Sequence, residues 1–86
     1  MIKILIIEDD VTIVKNLSEL LRQEGFDTDS ALSCKEAESK IETAQYDLVL
    51  LDVLLPDGNG FSLCNRIKSV TDCPVIFLTA SADEFS

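Results

Sequence analysis

Histidine is absent from the 86 residues, and only seven of them are Lys or Arg. Without His, the three cysteines have no partner to complete a zinc site. Cys34, Cys64 and Cys73 are also widely spaced and form no CxxC pair. An odd, scattered set of this kind reads as reduced, partly buried thiols of a cytoplasmic protein. The shortage of basic residues says more. Sixteen acids against seven bases leave a net charge of −9. Nucleic acid and anionic membranes are held through Lys and Arg, so neither suits this chain as a direct ligand. Divalent cations and basic protein surfaces do. No apolar run approaches a membrane span, and the N-terminal run from Met1 to Ile7 is too short for a signal peptide. Repeats, linkers and low-complexity stretches are missing too, and the length fits one small domain.

What is present is an alternation of apolar runs with amphipathic segments, the pattern of βαβ units on a parallel sheet. Ile2 to Ile7 is broken only by Lys3, as suits a strand covered on both faces. Val11 to Glu24 carries Ile13, Leu17, Leu20 and Leu21 on one helical face, with Gly25 placed as a left-handed terminator. Phe26 to Leu32 is a weaker, more polar strand and predicts a sheet edge. Ser33-Cys34-Lys35-Glu36 reads as a capping box for a helix running to about Ala44, with Leu32 and Ala37 at the hydrophobic-staple positions. Tyr46 to Val53 predicts a buried central strand, and Pro56-Asp57-Gly58-Asn59-Gly60 a turn. A helix near Phe61 to Ser69, with Leu63, Cys64 and Ile67 inward, then a strand from Val75 to Thr79, complete the pattern. Ala80 to Ser86 reads as a loop and the start of a fourth helix.

In an open parallel sheet, ligands bind beyond the carboxyl ends of the strands, where the strand order reverses. Right-handed crossovers and the edge-like second strand favour the order 2-1-3-4. The first and third strands are then neighbours, and Glu8, Asp9 and Asp52 converge at their tips. Asp10 reads instead as a charge at the start of the first helix. Convergent carboxylates repel one another unless a cation intervenes, and hard oxygen donors suit Mg²⁺. A metal-bound carboxylate at a strand tip is also a phosphoryl acceptor, with Thr79 placed to hydrogen-bond a phosphoryl oxygen on Asp52.

Together these segments resemble the receiver domain of bacterial two-component response regulators. The matching pieces are Ile4-Leu5-Ile6-Ile7-Glu8-Asp9-Asp10, Tyr46 to Asp52, Leu55-Pro56-Asp57-Gly58-Asn59-Gly60, and Pro74-Val75-Ile76-Phe77-Leu78-Thr79-Ala80. Glu-Asp-Asp at the first strand with Leu-Pro-Asp-Gly after the third looks most like the transcription-factor branch that carries a winged-helix domain. The resemblance implies a flavodoxin-like α/β fold. It implies that Asp52 accepts a phosphoryl group from a sensor histidine kinase. It also implies that Asp9, Asp52 and the Leu54 main-chain carbonyl hold Mg²⁺, with Glu8 acting through a bound water. Thr79 would be the switch residue and Ala80 the small neighbour that leaves room for the phosphoryl group. Such a domain is not an enzyme, but it assists its own phosphorylation and dephosphorylation. It is cytoplasmic, and the parent protein would bind DNA through another domain.

The family pattern has five βα units, so residues 1–86 are expected to be the N-terminal part of a single receiver domain, truncated before the fourth helix is complete. Residues 69–86 contain no Lys or Arg to match the family's strand-five Lys. An open fourth strand and a bare sheet face are expected to drive self-association, giving a homodimer or an assembly without competent switching. The other alternative is a Toprim-like Mg²⁺-dependent enzyme. That reading requires a second acid two residues after Asp52, where this chain has Leu54.

Overall fold

The computed structural model of the chain describes residues 1–78. Nine elements follow in order: β1 (Lys3–Ile7), α1 (Val11–Gln23), β2 (Asp27–Ala31), α2 (Cys34–Thr43), β3 (Leu48–Asp52), β4 (Leu54–Leu55), β5 (Gly58–Asn59), α3 (Gly60–Val70) and β6 (Val75–Leu78). β2, β1, β3 and β6 form one parallel sheet in that spatial order. This is the expected 2-1-3-4 arrangement, with β6 as the fourth long strand. The extra numbers belong to β4 and β5, a two-residue antiparallel ribbon inside the segment read as a turn.

The sheet explains the unbroken apolar run of β1. Successive strand residues point to opposite faces, and both faces are covered. Leu5 and Ile7 join Val49 and Leu51 beneath Ala37 of α2 and Leu63 and Ile67 of α3. Ile4 and Ile6 join Leu50 beneath Val14, Leu17 and Leu21 of α1. The four apolar residues of β1 are almost completely shielded from water. Cys34 and Cys73 lie buried in the first cluster and Cys64 at its border, all as free thiols.

Helix boundaries follow local chemistry. The Asp10 side chain caps α1, accepting from the amides of Thr12 (2.9 Å) and Ile13 (3.4 Å), which agrees with its reading as a helix-start charge. At the other end Gly25 adopts φ +92°, its N–H bonds the Arg22 carbonyl, and the Phe26 N–H reaches back to Leu21. Those are the two bonds of a Schellman termination, and Phe26 and Leu21 belong to the same apolar cluster, as commonly accompanies it.

Ser33 caps α2 by accepting from the Glu36 amide at 3.1 Å. Glu36 returns to the Leu32 amide rather than that of Ser33, one residue beyond the bond of the predicted capping box. Asn59 caps α3 through the amides of Phe61 and Ser62.

Two expectations need correction. Ile13 and Leu20 are not inward residues of α1. Leu17 and Leu21 face inward as expected, joined by Val14, while Ile13 and Leu20 lie exposed on the flank. Cys64 is only half-buried, because the inward face of α3 is set by Leu63 and Ile67. No helix among the described residues is long and apolar enough to cross a membrane.

Candidate functional site

Register brings the acids together. Ile7 is paired with Leu51, so the residues that follow each, Glu8 and Asp52, reach the carboxyl end of the sheet at the same level. The Glu8 amide is tied to the Ala31 carbonyl of β2 at 3.0 Å, which fixes where the β1 tip turns away. Carboxylate oxygens of Glu8, Asp9 and Asp52 all lie within 4.8 Å of one another. Their surroundings differ: Glu8 is buried, Asp52 half-buried and Asp9 exposed.

Desolvation pushes the Glu8 carboxyl up to about 7. The Asp10 amide, 3.2 Å from Glu8 Oε1, opposes the shift, while a hydrogen bond with Asp52 and repulsion from Asp52 and Asp9 add to it. A buried carboxylate held against two others is a donor set that a divalent cation fits, since hard oxygen ligands in a small space lose their repulsion when the ion enters. The sign of the linkage is fixed. Glu8 binds its proton more tightly in the fold than in the unfolded chain, so its contribution is fully present below about 4.5 and is lost as pH rises through about 7. Metal-free protein should therefore lose roughly 1–3 kcal/mol between pH 5 and pH 8 from this residue. Urea titrations of wild type and Glu8→Gln check it. A slope that persists unchanged in Glu8→Gln would assign the trend to other groups.

An open apolar cleft of about 410 Å³ adjoins the carboxylates between α1 and β6. Ile13, Leu17, Leu20 and Leu78 line it, together with Glu8, Asn16 and Asp52. Leu54, whose carbonyl is the expected third metal ligand, stands in β4 and is 76% exposed. Thr79 and Ala80 lie outside the described residues.

The sequence reading missed two features around the site. Asp57, read as part of a turn, sends both carboxylate oxygens to the start of α2, accepting from Cys34 N–H at 2.7 Å and Lys35 N–H at 3.0 Å. Those two bonds hold its carboxyl below the usual range. Gly60 sits directly on the backbone of Asp52 and Val53, and its N–H bonds the Val53 carbonyl at 2.7 Å. The only sequence signal for either was the density of turn residues between Pro56 and Gly60.

Residues 4–86 match the response regulator receiver domain. The chain belongs to the response regulator receiver family. Like other receiver domains it is a signalling module rather than a classical enzyme. A transcriptional regulatory protein CpxR homolog of Haemophilus influenzae is 40% identical over 84 residues, which are 98% of this chain and 37% of that protein. The chain therefore spans less than two-fifths of the length of that relative.

Among solved structures, a two-component response regulator from Clostridium difficile superposes with a TM-score of 0.91 at 38% identity, covering 99% of this chain and 71% of that one. The response regulator TrrA of Thermotoga maritima, solved in complex with Mg(2+)-BeF, gives 0.90 at 34% identity, covering 96% and 73%. Membership also removes the Toprim-like alternative, whose second acid would have to stand at Leu54.

Proposed function

We propose that this receiver domain is a Mg²⁺-dependent phosphoacceptor, with Asp52 as the nucleophile. The observation that carries the reading is the approach of Glu8, Asp9 and Asp52 oxygens to within 4.8 Å of one another. Asp9, Asp52 and the Leu54 carbonyl hold the ion, and Glu8 acts through a water. When bound, Mg²⁺ offsets charge on the incoming phosphoryl oxygens. Asp52 attacks phosphorus in line, an acyl-phosphate O–P bond forms, and the P–N bond to the kinase histidine breaks. Thr79 accompanies the phosphoryl group as the switch, beside the small Ala80. In this way the domain assists its own phosphorylation and dephosphorylation. The donor is a sensor histidine kinase, the location is cytoplasmic, and the parent protein regulates transcription through a DNA-binding domain elsewhere in its length. Residues 1–86 belong to one receiver domain. The Mg(2+)-BeF complex of TrrA, at 34% identity, supports the metal assignment.

Metal binding tests the reading without any kinase. A ligand that binds only the folded state stabilises it by about 2.7 kcal/mol at a hundredfold excess over Kd. In a domain of this size each kcal/mol raises Tm by roughly 4–8 °C. Mg²⁺ should raise Tm accordingly in wild type, and Asp9→Ala should abolish the rise. An equal Mg²⁺ response in Asp9→Ala would remove Asp9 from the site.

A second reading, self-association, is favoured by a specific observation. Ile13, Leu20 and Ile76 are exposed, and the first two open onto the cleft between α1 and β6. We propose a homodimer through this face. Light scattering checks it, and a monomer at high concentration would contradict it.

A further inference from the structure

We propose that Asp57 is a positioning residue for the metal loop: its carboxylate ties the tip of the β4–β5 ribbon to the start of α2 and so fixes Leu54 beside Asp52. The inference rests on the metal reading above and adds a residue that reading does not use.

Residues 53–60 carry Leu54 between Asp52 and α3. Before α3 begins at Gly60, their only regular structure is a ribbon with two residues in each strand, Leu54 opposite Asn59 and Leu55 opposite Gly58. A two-stranded ribbon is marginal even when much longer, so its pose must come from its attachments. One end is fixed by Gly60, whose N–H meets the Val53 carbonyl at 2.7 Å. The other end is the turn at Pro56 and Asp57, both exposed and outside the core. Leu55 seats the ribbon in the core, and the turn beyond it is held by the pair of bonds from the Cys34 and Lys35 amides to the Asp57 oxygens, at 2.7 and 3.0 Å, across 23 and 22 residues of chain.

The pair of bonds is two-pronged, so it restricts rotation as well as distance. Both carboxylate oxygens are engaged with these amides, so Asp57 acts through the loop, not as a ligand. Gly58 lies against the Cys34 side chain: a Cβ there would meet Cys34 Sγ at 2.9 Å. The ribbon tip is thus seated directly on the first turn of α2. Loss of an outer partner that orients a metal ligand typically costs 10- to 100-fold in metal affinity.

The same helix supplies the control. Ser33 caps α2 through the Glu36 amide and makes no bond to the ribbon. Removing either side chain weakens the start of α2, but only removing Asp57 releases the loop. The test compares wild type, Asp57→Ala, Asp57→Asn and Ser33→Ala by NMR, following backbone amides of residues 53–60 without metal and then through a Mg²⁺ titration. Asp57→Ala is expected to shift those amides, reduce their hydrogen-exchange protection and weaken Mg²⁺ about tenfold. Asp57→Asn keeps one acceptor oxygen and should fall between. Ser33→Ala should leave the 53–60 amides in place and bind Mg²⁺ within about twofold of wild type.

Two results overturn the proposal: loop amides and Mg²⁺ affinity in Asp57→Ala that equal those of wild type, or losses in Ser33→Ala that match those in Asp57→Ala. If wild type takes up no Mg²⁺ at all, the metal reading fails. The metal-free amide comparison then still decides whether Asp57 holds the loop.

Discussion

Asp52→Asn should reduce covalent phosphorylation of the chain to background. With phosphoramidate and Mg²⁺, wild type is expected to gain one phosphoryl group by intact mass, and EDTA should prevent it. The physical case is local. Asp52 ends a strand whose preceding residues, Val49, Leu50 and Leu51, are buried, so the carboxylate is the first polar group the strand presents at its tip. It stands half-buried beside Glu8 and Asp9. Asn fills the same volume but brings a neutral amide, which neither attacks phosphorus nor contributes charge to the metal.

The bond type gives a second check. An acyl phosphate is cleaved by hydroxylamine, whereas a phosphate ester on Ser or Thr survives. An undiminished adduct on Asp52→Asn, or one resistant to hydroxylamine, would place the acceptor elsewhere.

Gly60→Ala is the second large effect, and its sign is not the one helix propensity suggests. Ala is the better helix former by roughly 1 kcal/mol in a helix interior, so on propensity alone the change looks favourable. Contact geometry overrides this. A Cβ on Gly60 would collide with the Asp52 carbonyl oxygen and lie 2.8 Å from Val53 Cα and 3.1 Å from the Asp52 carbonyl carbon. All three are backbone atoms, so no rotamer change relieves the clash. The start of α3 must move off the end of β3, straining the 2.7 Å bond from Gly60 N–H to the Val53 carbonyl.

Overpacking of this kind typically costs 1–3 kcal/mol, and Tm should fall by roughly 5–20 °C. Because the displaced atoms belong to Asp52 itself, phosphoramidate labelling and Mg²⁺ affinity should fall with it. Gly58→Ala is the comparison: its Cβ meets the Cys34 side chain rather than backbone, so the loss should be smaller. Calorimetry on both variants decides the ranking. A Gly60→Ala protein as stable as wild type would show that α3 is free to retreat.

Most of the layout was legible because its causes are local. The run through β1 requires cover on both faces, the Asp10 cap and Gly25 terminator bracket α1, and the acids at two strand tips follow from strand order. The features that escaped depend on distant partners. β2 looked polar and edge-like, and among the described residues it is one of the two edge strands. The sequence did not reveal why half-buried Asp29 is tolerated there: Lys40 lies 2.8 Å from one oxygen, and the Tyr46 hydroxyl donates to the other at 2.7 Å. Those contacts hold the Asp29 carboxyl below its usual range against the cost of burial. Asp57 likewise had every mark of a turn residue, and only the packing of the loop on α2 turns it into a cap. Ile13 and Leu20 satisfied the helical spacing, but the sheet beneath α1 meets only the stripe through Val14, Leu17 and Leu21.

The central claim is that Glu8, Asp9 and Asp52 share one divalent ion, and a paramagnetic titration tests it most directly. Substoichiometric Mn²⁺ added to ¹⁵N-labelled protein should broaden the amides of residues 8, 9 and 52–54 first, excess Mg²⁺ should restore them, and Asp9→Ala should lose the effect. Broadening centred instead on the acids of α2, or spread evenly over the acidic surface and unchanged by Asp9→Ala, would contradict it.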